Sequence, residues 1–146
     1  MLNPLTYFIL LAAVSGYAAM RGRADERIAV AICIAATIAT NFVVLPLQTR
    51  YSGVETGVLL IDVLTLAGFT LLALRSDRFW PLWVAGLQLT TIMSHAMMAI
   101  EFDLMPQAYA AAARFWVYPI FLIIVAATWR AHRRRVRSEL LREQAV

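Results

Sequence analysis

Asp62, His95 and Arg114 stand in predominantly apolar stretches, and their types are those of proton and ion chemistry. A carboxylate titrates or coordinates, an imidazole relays protons near neutral pH, and a guanidinium supplies a fixed positive charge. Helical spacing groups them with other polar residues. Glu55, Asp62 and Thr65 share a face by i, i+7, i+10; Gln88, Thr91 and His95 by i, i+3, i+7; Cys33, Thr37 and Asn41 by i, i+4, i+8. Arg114 and Tyr118 are one turn apart. If these faces converge, Asp62 and Arg114 form an ion pair, His95, Asn41 and Tyr118 hydrogen-bond around it, and Gln88 lines the same pocket. Glu55, Glu101 and Asp103 would form its rim. Two readings stay open. A matched acid–base pair is the least costly way to keep charges among apolar helices, and polar contacts hold such bundles together. Intramembrane charge is also a functional hypothesis by default.

Other chemistries find less support. Met93-Ser94-His95-Ala96-Met97-Met98 offers thioethers and an imidazole, suitable ligands for Cu(I), with His95 and Met98 the candidate pair. Met is equally an ordinary filler of apolar segments. His95 and His132 fall on opposite sides of the expected membrane, which disfavours a haem held by two histidines. A haem held by a single histidine, or one shared with a partner subunit, stays open. Ser94 and His95 are consecutive on a helix and point about 100° apart, so they make a poor catalytic dyad. No glycine-rich phosphate loop, metalloprotease helix or dinucleotide fingerprint occurs. The lone Cys33 excludes a disulfide framework and a four-cysteine zinc site within the chain. No cofactor is specified.

The elements that must position these residues follow from composition. With 62% apolar residues, 15% charged and a mean hydropathy of +0.71, the 146-residue chain has more apolar side chain than a soluble domain of this size can hide. Five stretches are long enough to cross about 30 Å of hydrocarbon: 2–20, 28–47, 54–74, 79–100 and 106–129. The links are short, so the expectation is an all-α membrane protein, a compact up-and-down bundle of five helices over residues 1–129. Pro4, Pro81 and Pro106 fall in first turns, and Asp77 can cap the fourth helix. Pro119 should kink the fifth. Trp80, Trp83 and Trp129 lie near span ends, where amphipathic rings favour the interface. Small residues at four-residue spacing, Ala12 and Gly16, then Ala31, Ala35 and Ala39, permit close helix approach. The first stretch lacks a positive flank and is expected to be a retained span rather than a secretory signal.

Every basic residue is Arg. Arg21, Arg23 and Arg27, Arg75 and Arg78, and the tail residues Arg130, Arg133, Arg134, Arg135, Arg137 and Arg142 all belong to one side; Arg50 alone belongs to the other. This asymmetry places the amino terminus outside and the carboxyl terminus in the cytoplasm, as an odd number of spans requires. The Arg-only usage, with many Ala, suggests a bacterial inner membrane. The tail, 130–146, reads as a short basic helix on anionic lipid headgroups. Nucleic acid is not expected, because the basic residues hug a membrane exit.

With this orientation Asp62 and Arg114 lie about 12 Å beneath the outer surface, and Asn41 and His95 about 7–9 Å. Polar anomalies thus collect in the outer half. The expected function is non-enzymatic: binding or passing a small solute or proton, or serving as a subunit of a homo-oligomer or larger complex. The competing class is a membrane-embedded redox enzyme using a metal or quinone at the same pocket.

Overall fold

The structure, a computed structural model, describes residues 4–43, 56–100 and 115–144. Among these residues every regular element is helical: α1 (Pro4–Arg21), α2 (Ala24–Val43), α3 (Thr56–Arg75), α4 (Trp80–Ile100) and α5 (Val117–Glu143). Each helix packs on the next, and α5 returns to α1, so the bundle closes into a circuit; α2 also touches α5 across it. Links of a few residues leave α1–α2 and α3–α4 no choice but antiparallel packing.

The core is a seam of Leu11, Val14 and Ala18 of α1, Ala29, Val30 and Cys33 of α2, Phe69 and Leu72 of α3, Val84 and Ala85 of α4, and Ile120, Phe121 and Ile124 of α5. The other faces are apolar too. Ile9, Ile38, Leu60, Leu64, Leu74, Leu82 and Leu122 are exposed, and Phe42 is 86% exposed. Meanwhile Thr65, Gln88, Thr91, His95 and Thr128 are buried. A soluble bundle has a polar outer face opposite an apolar stripe, and here that gradient is absent or reversed. Two helices, α2 and α3, are long and apolar enough to cross a membrane.

One end of the bundle gathers the basic residues. The link between α1 and α2 shrinks to Gly22 and Arg23, because α2 begins four residues ahead of the expected Ile28. Its acidic first turn, Asp25 and Glu26, favours the helix dipole. Glu26, 2% exposed, turns its carboxylate back to accept the Arg23 N–H at 2.8 Å, half of a capping box. Gly22 is required by closeness: a Cβ there would stand 2.5 Å from the Ala18 carbonyl oxygen. The second link joins the first through Ser76, whose hydroxyl donates to Asp25 (2.6 Å) and accepts from the Arg78 N–H (3.1 Å). Arg21 donates to His132 Nε2 at 2.8 Å, docking α5 to α1. A guanidinium only donates, so that nitrogen is unprotonated in the contact.

Several expectations change. Asp77 lies exposed in the turn three residues before α4 and does not cap it; Ser76 organises that turn instead. Pro81 is in the first turn of α4 as expected, and Pro119 occupies the first turn of α5, where a missing N–H costs nothing. The helical run is interrupted just ahead of it, by a turn at Trp116 between helical Phe115 and Val117. The basic tail is not a separate short helix: α5 runs unbroken through Trp129 and Arg130 to Glu143. Trp83 and Trp129 are exposed, the latter beneath the Arg133 guanidinium at 4.9 Å, whereas Trp80 packs on the core with its Nε1 buried and unpartnered.

Candidate functional site

The central polar group lies between α3 and α4. On α3, Ile61, Thr65, Phe69 and Leu72 are buried at helical spacing, and Asp62 sits at the margin of that stripe. Gln88, Thr91 and His95 make one buried face of α4, as their spacing predicts. Gln88 and His95 are two turns apart, and the Asp62 carboxylate fits between them. His95 Nε2 is 3.0 Å from Asp62 Oδ2, and Gln88 Nε2 donates to Asp62 Oδ1 at 3.0 Å. The Gln88 amide also approaches the Asp62 carbonyl oxygen at 3.4 Å. His95 is 3% exposed, whereas the Asp62 side chain keeps 20% exposure. The cluster thus has a sealed side, the imidazole, and an approachable side, the carboxylate.

Its chemistry follows. Both carboxylate oxygens are engaged from α4, Oδ1 by the Gln88 amide and Oδ2 by the His95 ring, which orients the carboxylate between the two. The imidazole and carboxylate meet in a direct contact of 3.0 Å, an arrangement able to hold a proton or a small cation between α3 and α4. Thr65, one turn beyond Asp62, spends its hydroxyl on the Ile61 carbonyl at 2.8 Å and adds no donor.

A second polar group bridges α1 and α2. The Thr37 hydroxyl donates to the Cys33 carbonyl (2.7 Å), so the Tyr7 hydroxyl must donate to Thr37 Oγ1, at 2.6 Å. Asn41 Nδ2 donates to the Thr37 carbonyl at 2.8 Å. Counted along their helices, Tyr7, Thr37, Asp62 and His95 all stand about 20–22 Å from the Arg-rich end. Two polar groups on different helix pairs therefore share one level.

The sequence-expected pocket is only partly assembled. Asp62, Gln88 and His95 come together. Asn41 does not join them: it is exposed and folds back on its own helix. Tyr118 is half-buried and makes no hydrogen bond to Asp62 or Gln88. Arg114, Glu55, Glu101 and Asp103 lie outside the described residues, as does the side chain of Met98, so the Asp62–Arg114 pair and the Cu(I) pair fall there too. Among the described residues no three His, Cys, Asp or Glu side chains converge to hold a metal. Tyr7 was not anticipated; its phase relative to Thr37 is not legible until the two helices are docked. Glu26 was not anticipated either, because it falls inside the expected link and the residue three before it is Arg23 rather than the Ser or Thr of a capping box. Comparison with protein-family models, curated proteins and solved structures finds no match to this chain.

Proposed function

We propose that this chain is a five-span protein of a bacterial inner membrane, amino terminus outside, and that its Asp62–His95–Gln88 cluster binds or passes a proton or small cation reached from the outer side. The apolar side chains exposed on every helix pair and the gathering of Arg at one end support the membrane reading and its orientation. The observation that carries the functional part is the 3.0 Å contact between His95 Nε2 and Asp62 Oδ2 inside that apolar shell.

Magnitude favours a working site over a purely structural one. An Asp at the centre of a membrane helix costs about 2.5–3.5 kcal/mol on insertion scales. Interhelical hydrogen bonds in membranes return about 0.6 kcal/mol each on average. Two such bonds to Asp62 do not offset its insertion, and a Leu would serve packing better. The Asp62 carboxylate keeps 20% exposure, so it is the member of the cluster that an entering proton or cation would meet first.

The test is proton flux into liposomes carrying the purified protein and a trapped pH-sensitive dye, driven by an imposed potential. Wild-type protein should conduct, His95→Ala should conduct less, and Asp62→Asn should fall to the rate of protein-free liposomes. A folded Asp62→Asn protein with undiminished flux overturns the assignment. A chromophore or metal retained through purification would replace it with the redox reading.

A further inference from the structure

The basic end carries a feature that the outer cluster does not use. Between α1 and α2, on the outside of the bundle, a cleft of about 210 Å³ is lined by Ser15, Ala19, Arg27 and Val30. Arg27 is exposed and has no ion pair among the described residues. Beside it Ala19 and Val30 supply apolar wall, and the Ser15 hydroxyl donates to the Leu11 carbonyl at 2.6 Å. Arg27 and Ala19 stand about 3–5 Å along their helices from the Arg-rich end, Ser15 and Val30 about 9 Å. The cation therefore sits at the mouth and Val30 lies deeper, with Ala19 beside the cation, an order compatible with a headgroup at the rim and the start of a chain within. The neighbouring α1 face stays open: Gly16 is exposed, with nothing within 4 Å of where its Cβ would stand.

We infer that this cleft is a site for one anionic phospholipid of the cytoplasmic leaflet, its phosphate on the Arg27 guanidinium and the start of one acyl chain against Ala19 and Val30. The charge complementarity is specific. Guanidinium and phosphate match as a forked, charge-assisted pair, and the exposed Arg23, one turn before Arg27, adds positive charge nearer the bundle end. The inference rests on the membrane reading above but not on proton transfer at Asp62.

The experiment is titration of the detergent-purified full chain with phosphatidylglycerol, read by native mass spectrometry and by thermal unfolding, with phosphatidylcholine and inorganic phosphate as parallel probes. Saturable retention of one phosphatidylglycerol is expected, with neither comparison probe binding. Loss of a charged hydrogen-bonded pair should weaken it about tenfold in Arg27→Gln. Ala19→Trp, which fills the cleft without touching charge, should weaken it as well. The tail variant Arg133→Gln/Arg134→Gln/Arg135→Gln should retain it. Equal affinity in Arg27→Gln, or loss only in the tail variant, overturns the site. A dimer that weakens in Arg27→Gln while lipid affinity holds would hand the cleft to a second copy and also overturn it. Carbonate extraction of the same cells separates the two levels: a chain released as soluble protein overturns the membrane reading itself, whereas a retained chain with unaltered lipid affinity in the variants overturns the lipid site alone.

Discussion

Asp62 has two partners with different work. His95 holds Oδ2 from the sealed side, and Gln88 holds Oδ1 while reaching toward the backbone. Replacing Gln88 with Leu should leave the imidazole contact intact and cost about 0.6–1.7 kcal/mol, the range of one interhelical membrane hydrogen bond, in unfolding measured in detergent. Thr37→Val should cost a similar amount by orphaning the Tyr7 hydroxyl. The two effects should add, because the groups belong to different helix pairs with no shared partner. A double variant far from the sum of the singles would mean the polar groups are coupled across the bundle. The grouping of Gln88 with His95 was legible in the sequence, since helical phase alone sets which residues share a face. Asp62's choice of partner was not legible, since it depends on how α3 is rotated against α4.

At the scale of elements, the turn between α1 and α2 concentrates constraint in few residues. Gly22→Ala would press a methyl to 2.5 Å from the Ala18 carbonyl oxygen, backbone that cannot move aside without disturbing the end of α1. A loss of about 1–3 kcal/mol is expected. Gly16→Ala meets open space in the middle of the same helix and should be neutral or stabilising by up to about 1 kcal/mol. Chemical denaturation of both variants under one condition checks the contrast, and equal effects would refute the packing described at Gly22. The length of α5 makes another expectation. Because its last turns continue the bundle helix, Arg130→Pro should separate the basic segment from the bundle at a cost near 3 kcal/mol or more. Circular dichroism would register this as lost helix, and unchanged helicity would mean that the basic segment folds by itself.

For the whole molecule, the closed circuit of helices exposes apolar side chains outward and collects Arg at one end. In a cell this arrangement predicts labelling by side. In a Cys33→Ser background, Leu5→Cys should react with an impermeant maleimide added outside intact cells. Ser138→Cys should react only after the membrane is opened. The reverse pattern would invert the proposed orientation and place the Asp62 cluster near the cytoplasm.

The sequence by itself determined that the described elements are helices, that α1–α2 and α3–α4 are joined by short links, that Arg gathers in those links and the tail, and that Gln88, Thr91 and His95 share a face of α4. Each depends on local periodicity or on counting along the chain, which no tertiary contact can alter. Only the tertiary structure decided that Asp62 takes His95 and Gln88, that Asn41 turns away, that Tyr7 meets Thr37, and that Glu26 is buried under a glycine turn. Those outcomes depend on the rotation, depth and separation of neighbouring helices. These are set by how side chains from all five interlock, and the spacing of residues within one helix carries no record of them.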